Sequence, residues 1–308
     1  MYYSNKKELT MTDKNKNIFS LLLVLAMLGW GASWVNVKIL SNYINAYETA
    51  FLRFLITLLS MIPIILYLKK SFLVNIKTLF IAFVTSIFLL GYMKYYFIGT
   101  KLGTASLGGA FVTTLIPIIT FIFLVLLGNK KLNKKDIFAL CLGAIGVMTI
   151  LDVWQFNLNE ILVIHNLYFI FAALLWPIVT ILSSKATGSS PIVFSFYLYV
   201  FTVLLSGIFF LDFSHIHYEN FDFIFWINIF VLSIIASTFS NTIYFLGIEK
   251  LGAAEVSSFI FLVPFFAIAL SIIFLGEEVK ISMIIGTALT LFAIKILNNI
   301  SFKKKKSK

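Results

Sequence analysis

Four cationic side chains interrupt stretches of sequence that are otherwise apolar enough to cross a membrane: Lys38, Arg53, Lys94 and Lys295. A lysine at the centre of a membrane helix costs about 2.5 to 3.5 kcal/mol on insertion scales, so it is expected to face protein or water. Lys94 lies well inside its stretch, and the chemistry predicted for it is the anchoring of a carboxylate or a phosphate. Snorkelling towards the outer surface is the alternative, because the end of the helix is only about two turns away.

The other charged residues in apolar stretches are interpreted mainly as structural. Glu48 precedes Arg53 by five residues near the outer end of a stretch, which favours an interfacial or interhelical pair that holds an outer gate. Lys38 and Lys295 lie near helix ends, where snorkelling accounts for both. Glu255 opens a later stretch, and an acid at a helix N-terminus is favoured over a role in proton coupling.

Aromatic and polar side chains add candidates for a binding site within the apolar stretches. Trp30 and Trp176 lie too deep to be explained well by the aromatic belts at membrane surfaces. Asn241 needs a hydrogen-bonding partner at mid-depth, for which a neighbouring helix is the structural alternative. Together with Lys94, the predicted substrate-binding residues are Trp30, Trp34, Tyr95, Tyr96, Thr113, Thr114, Trp176, Asn241 and Tyr244.

Two prolines, Pro117 and Pro264, are predicted to lie in the middle of apolar helices. Proline removes one backbone hydrogen bond and kinks a helix, which leaves the carbonyl groups of Thr113 and Ile260 without their usual partners. The two prolines occupy equivalent places in two similar segments. We therefore interpret them as parts of a cavity wall and hinge rather than as static kinks.

The sequence offers little for an enzyme or a metal site. His215 and His217 have acidic neighbours but no fixed spacing of zinc ligands, so a solvated loop is favoured. Cys141 is the single cysteine, which excludes a disulfide framework and a cysteine metal cluster within the chain. We find no phosphate loop, nucleophile elbow or zinc-protease motif. We therefore predict no cofactor, no metal and no enzymatic activity.

The elements that must position these side chains follow from hydropathy. Hydrophobic residues make up 60% of the chain and charged residues 12%, whereas soluble domains are about half apolar and a quarter charged. The apolar residues form continuous runs near the roughly 20-residue length that spans a bilayer as a helix, and too long for barrel strands. The ten predicted spans are residues 18–38, 47–67, 77–98, 104–127, 136–151, 162–183, 191–211, 223–246, 254–275 and 281–298.

Two segments of the chain are rough copies of each other. Residues 96–103 (YFIGTKLG) recur as residues 244–252 (YFLGIEKLG) with one insertion, and each copy leads to a proline. Five spans in each copy is an odd number, so the second copy must lie upside down. We predict an all-α integral membrane protein of ten transmembrane helices, arranged as two inverted five-helix repeats. The predicted boundaries are a basic N-terminus at 1–17, a first repeat at 18–151, an outer linker at 152–161, a second repeat at 162–298 and a basic tail at 299–308.

The net charge of +11 is read as a topology signal rather than as a nucleic-acid site. With the N-terminus inside, most lysines fall on the inner side, and the outer loops hold only Lys101 and Lys280. Such lysines also contact anionic lipid. We predict a multi-pass protein of the cytoplasmic membrane, with both termini cytoplasmic and no nucleic-acid partner.

The chain resembles the drug/metabolite transporter superfamily, EamA type. The resemblance is carried by Trp30 to Lys38 (WGASWVNVK), Phe51-Leu-Arg53-Phe, the prolines of spans four and nine, and Leu275-Gly-Glu277 followed by Gly286. It implies ten helices, cytoplasmic termini, a central cavity between inverted halves, and export or exchange of small metabolites, often amino acids or drug-like compounds. Two departures are Asn129, where the family has a glutamate, and Lys94, where it usually has an uncharged residue.

These observations predict a secondary transporter that exports or exchanges a small amino-acid-like or drug-like metabolite by alternating access. Aromatic walls would hold the apolar part of the substrate, and Lys94 would hold an anionic group. The alternatives are an organic-anion or phosphate-ester exchanger and, with less support, a membrane-embedded protein that is not a transporter. Coupling to a proton or a counter-substrate, and the choice between monomer and homodimer, stay open.

Overall fold

The computed structural model describes residues 13–128, 131–155, 162–186, 189–211, 218–251 and 258–297. Regular structure in these residues is helical throughout, and seven helices are long and apolar enough to cross a membrane. The helices are α1 (Asp13–Leu40), α2 (Ala46–Tyr67), α3 (Ile76–Leu102), α4 (Ala105–Leu126), α5 (Lys134–Ile150), α6 (Ile164–Ser184), α7 (Pro191–Phe209), α8 (Phe223–Phe230, Val231–Phe239 and Ser240–Leu251 in succession), α9 (Val263–Leu275) and α10 (Ile281–Leu297). The predicted ten-helix fold is confirmed.

Two of the helices differ from the regular spans that the sequence predicts. The middle of α8, Val231–Phe239, is π-helical, a conformation found often at functional sites. A 3₁₀ turn at Ser258–Leu262 precedes α9, and Pro264 is the second residue of that helix. The prediction of a proline in the middle of a regular helix is therefore wrong for Pro264, which lies where the 3₁₀ helix passes into the α-helix. It is confirmed for Pro117, which lies inside α4.

Contacts between helix ends show that the two halves are inverted. The Lys38 ammonium at the end of α1 donates to the carbonyl of Gly103, which follows α3. The ring of His165, at the start of α6, lies against the same glycine. The first helix of one half therefore ends where the first helix of the other half begins. We call this the distal end of the bundle and the opposite one the proximal end.

The packing of the helices repeats under the same inversion. Helix α1 packs on α8 and α9, and α6 packs on α3 and α4 in the equivalent way. Helices α5 and α10 pack on each other, and Gly146 and Gly286 are at their closest approach. A Cβ atom added to Gly286 would lie 2.5 Å from the Gly146 carbonyl oxygen. These two glycines thus allow the backbones of α5 and α10 to touch.

Candidate functional site

Arg53 lies buried in α2, with 8% of its surface exposed. Its Nε atom donates to Ser237 Oγ at 2.9 Å, and one terminal nitrogen lies 3.8 Å from Met93 Sδ. Three tyrosine phenols interact electrostatically with the guanidinium: Tyr92, Tyr96 and Tyr199. Among the described residues no carboxylate pairs with Arg53. A buried, positively charged fork therefore lies among neutral side chains, with Ser237 contributed by the second repeat.

A chain of hydrogen bonds links three helices beside Arg53. Trp30 Nε1 in α1 donates to Asn241 Oδ1 in α8 at 3.1 Å. Asn241 Nδ2 donates in turn to the Tyr199 hydroxyl in α7 at 2.6 Å. The Tyr199 ring stacks on Phe54, the residue after Arg53, with 4.7 Å between ring centroids. The chain satisfies the Asn241 amide and joins the two repeats at mid-depth.

Aromatic rings extend the site from α1 across α3 to α6. The Trp34 and Tyr96 rings are 4.2 Å apart, and the Tyr92 and Trp176 rings are 4.7 Å apart. The Tyr96 hydroxyl lies 3.2 Å from Ser33 Oγ. We define the central cluster as the connected set Trp30, Ser33, Trp34, Arg53, Tyr92, Met93, Tyr96, Trp176, Tyr199, Ser237, Asn241 and Tyr244.

The π-helical segment of α8 determines where Ser237 lies. The hydroxyls of Ser237 and Thr238 donate to the carbonyls five residues earlier, at 3.0 and 3.1 Å. The carbonyl of Ser233 also accepts from Thr57 Oγ1 of α2 at 3.1 Å. The π-helical segment of α8 is thus bonded to α2 at Arg53 and again one turn further along, at Thr57. A regular α-helix would rotate Ser237 relative to α2, because each π turn contains more residues.

Lys94 and Tyr95 lie apart from the central cluster. The Lys94 ammonium lies 6.0 Å from the ring centroid of Tyr47, the second residue of α2, and 5.7 Å from that of Tyr95. The Tyr95 ring packs against Phe171 of α6 at 5.2 Å, and Phe171 is exposed on the outside of the bundle. The structure therefore places the Lys94 charge near the distal end. Its role as an anion anchor stays a prediction.

The hydroxyls predicted near Pro117 bond to their own helix. Thr113 Oγ1 donates to the Gly109 carbonyl, and Thr114 Oγ1 donates to the Ala110 carbonyl at 2.7 Å. Bonds of this kind compete with the backbone ladder and bend helices. In this conformation the hydroxyls of the two threonines are bonded within α4 and are not part of the central cluster.

Arg53 and Glu48 do not pair, although both are buried. Glu48 Oε2 accepts from the Asn45 N–H at 2.7 Å, while Asn45 Oδ1 accepts from the Glu48 N–H at 3.1 Å. This is a capping box, which satisfies the first free amides of α2. Glu48 thus organises the start of the helix, and Arg53 faces α8.

Sequence reasoning missed several members of the central cluster: Ser33, Tyr92, Met93, Tyr199 and Ser237. Tyr92 lies one helical turn before Tyr96, and Tyr199 lies in the middle of an apolar span, so depth alone could have indicated both. The serines carry no comparable signal, because small hydroxyl residues are common in membrane helices. His215, His217, Asn129 and Glu255 lie outside the described residues.

Two openings in the described part of the chain lie away from the central cluster. A groove of about 410 Å³ between α1, α8 and α9 is lined by apolar side chains such as Leu28 and Phe239. A void of about 20 Å³ lies at the distal end beside Val37 and Lys101. Trp34, Tyr96 and Tyr199 are buried, so the central cluster is closed over itself in this conformation. Within the described residues, no three His, Cys, Asp or Glu side chains group as a metal site would require.

Comparison with protein families matches residues 17–152 and again 163–299 to the EamA-like transporter family. Among solved structures 21 chains match, one of them a crystal structure described only as that of a protein. It has a TM-score of 0.59 and 18% sequence identity, and the match covers 91% of this chain and 96% of that one, which shows a shared fold. No curated protein matches. Two family matches, one to each repeat and together covering most of the sequence, establish that this chain belongs to the EamA-like transporter family, whose members are membrane transporters of the drug/metabolite type.

Proposed function

We propose that the protein is a secondary transporter that exports or exchanges a small metabolite with an anionic group, and that the central cluster binds this metabolite. The observation that carries the proposal is the Arg53 guanidinium, buried between the two repeats with no carboxylate partner among the described residues. A charge buried without a partner costs several kcal/mol. A ligand carboxylate or phosphate would compensate that cost, and the fork geometry of arginine suits both groups.

The remaining members of the central cluster suit the rest of such a ligand. Trp30, Trp34 and Tyr96 provide flat apolar surfaces, and Asn241 provides an amide that can exchange its present partners for a polar group of the substrate. Six helices from both repeats contribute side chains. A site built at the interface of inverted halves suits alternating access, because each half can rock against the other around it.

The location and boundaries of the transporter are part of the same proposal. We propose the cytoplasmic membrane, with both termini in the cytoplasm, on the strength of the lysine distribution. The family matches to residues 17–152 and 163–299 support repeats at 18–151 and 162–298. Under this topology the distal end faces the outside.

The test is counterflow in proteoliposomes against labelled amino acids, organic acids, phosphate esters and cationic drugs. Charge-assisted hydrogen bonds contribute about 1.5 to 3 kcal/mol. At about 1.4 kcal/mol per tenfold, Arg53→Gln should raise the half-saturation concentration of an anionic substrate about 10- to 150-fold. Arg53→Lys retains the charge but not the forked geometry of the guanidinium. Its half-saturation concentration should therefore lie between those of the wild type and of Arg53→Gln.

Lys94→Ala is the matched comparison, because it removes another cation, one that is only half-buried, from the same half of the protein. We expect it to change the half-saturation concentration less than Arg53→Gln does. The reverse order would make Lys94 the anchor, and transport of cationic drugs alone would refute an anionic substrate. Thermal stability without ligand separates loss of binding from loss of folding.

Phosphate esters in the panel test the second candidate, an organic-anion or phosphate-ester exchanger. The observation favouring this candidate is that two helices in contact, α2 and α3, carry two cations: Arg53 in the central cluster and Lys94 nearer the distal end. Exchange of a phosphate ester for inorganic phosphate, weakened by both substitutions, would support it over an amino-acid-like substrate.

A further inference from the structure

Glu277 binds the beginning of a helix in the opposite repeat. Its two carboxylate oxygens accept from the backbone N–H groups of Ala105 and Ser106, at 2.7 and 2.8 Å. These are the first residues of α4, where free amides and the helix dipole favour a negative charge. Glu277 itself follows α9, so the bond ties the loop between α9 and α10 to the start of α4.

Lys38 binds the other side of the same turn. Its ammonium donates to the carbonyls of Lys101 and Gly103, at 2.8 and 2.5 Å. These carbonyls lie in the last turn of α3 and at the residue that caps it, where free carbonyl groups favour a positive charge. Lys38 and Glu277 also attract each other electrostatically. The short turn between α3 and α4 is thus held by a cation from α1 on one side and an anion from α9 on the other.

Four helices therefore meet at the distal end through charge-assisted hydrogen bonds to the backbone. Opening this end would separate α1 or α9 from the turn between α3 and α4. Each separation leaves two backbone groups and one charge without their partners, which makes opening unfavourable. The ring of His165, a further titratable group at this end, packs against Gly103.

The other repeat has no charges at the equivalent sequence positions. Trp30 corresponds to Trp176, so Lys38 corresponds to Ser184. Gly276-Glu277 corresponds to Gly128-Asn129. In an inverted repeat with identical halves the two ends of the bundle would be equally easy to open. The charged residues that hold the distal end closed therefore have no charged counterparts at the equivalent sequence positions of the proximal end.

We propose that Lys38 and Glu277 form a latch that keeps the distal end closed and biases the resting transporter towards opening at its proximal end. The inference rests on the proposed alternating access, and it adds a specific direction to it. Substrate binding at the central cluster must then supply the free energy that releases the latch.

The experiment measures access to a buried residue at the distal end. Val37 is 1% exposed and lines the small distal void. In a Cys141→Ala background, which removes the single native cysteine, Val37→Cys provides one reporter thiol. The purified protein in detergent is treated with a polyethylene-glycol maleimide, and the rate of alkylation is followed by gel shift. Loss of one charge-assisted contact should raise the alkylation rate about tenfold or more in Glu277→Gln and in Lys38→Met.

Glu278→Gln is the matched control, because it removes a neighbouring acid of the same loop for which no backbone contact is seen in the described residues. It should leave the rate unchanged. A second reporter, Ala82→Cys in the buried proximal half of α3, should not become more reactive in any variant, which excludes general loosening of the fold. Unchanged alkylation of the Val37→Cys thiol in both latch variants would overturn the proposal, as would an equal effect of Glu278→Gln. The assay needs no substrate, so its failure is distinguishable from an absence of counterflow.

Discussion

Asn241 offers the sharpest test of how the central cluster is built, because one side chain joins three helices. It accepts from Trp30 Nε1 and donates to the Tyr199 hydroxyl. Asn241→Leu keeps a similar volume but removes both bonds. The Trp30 N–H and the Tyr199 hydroxyl then lie at mid-depth without a partner, where water is scarce.

The expected loss of stability follows from the number and quality of these bonds. Hydrogen bonds between membrane helices contribute about 0.6 kcal/mol on average and about 1.7 kcal/mol at most. Two bonds therefore predict a decrease of about 1 to 3 kcal/mol in the free energy of unfolding. The bond to Tyr199 is the shorter, at 2.6 Å. A double-mutant cycle of Asn241→Leu with Tyr199→Phe should thus show a coupling of about 1 to 1.7 kcal/mol.

The assay is reversible unfolding in mixed micelles by titration with a denaturing detergent, followed by circular dichroism. Asn228→Leu provides a matched control on the same helix. Asn228 is also buried, but its amide donates to the Ile224 carbonyl of α8 itself, at 2.8 Å. It should show no coupling to Tyr199→Phe, because its bond does not leave the helix.

A coupling between Asn241 and Tyr199 below about 0.3 kcal/mol would refute the reasoning, since that is the ordinary error of additivity. An equal coupling for Asn228 would refute it as well. Either result would mean that the rings and not the amide hold α1, α7 and α8 together at this depth.

Two further predictions concern places away from the central cluster. Gly286→Ala should decrease the free energy of unfolding by about 1 to 3 kcal/mol, because its Cβ would lie 2.5 Å from the backbone of α5; Gly91→Ala, whose Cβ meets only the end of the Leu175 side chain at 3.2 Å, should cost less in the same titration. Asp222 caps α8 by accepting from the Phe225 N–H, and it also accepts from the Tyr43 hydroxyl. Both bonds lower the pKa of the Asp222 carboxyl group. Desolvation and the nearby Asp222 carboxylate raise the pKa of the Tyr43 hydroxyl. Because its pKa is lowered, Asp222 contributes to folding stability above about pH 4, and this contribution is lost as the pH falls through its folded pKa. Because its pKa is raised, Tyr43 contributes to folding stability below about pH 10, and this contribution is lost as the pH rises further. The unfolding temperature, measured as a function of pH, should therefore fall less steeply at acid pH in Asp222→Asn and less steeply at alkaline pH in Tyr43→Phe. Curves that match the wild type in both ranges would contradict the assignment.

Sequence reasoning determined the architecture of this protein. Ten apolar runs and an odd number of spans per repeat predict an inverted ten-helix bundle, which the structure confirms. Depth within a run likewise selected Trp30, Trp176 and Asn241, which the structure joins to the central cluster. The fold prediction succeeds because transfer into lipid is a property of each segment by itself, so local hydropathy is sufficient to reveal it.

Partners across helices were decided only by the tertiary structure. Arg53 faces Ser237 rather than Glu48, and Glu277 reaches from α9 to the start of α4. The π-helical turn of α8 has no signature in the sequence, and it rotates the residues that meet α2. The physical reason is that a side chain's partner depends on the rotation and offset of two packed helices. Both are set by the close contacts of the whole bundle, whereas the spacing of residues along one helix only determines which of them share a face.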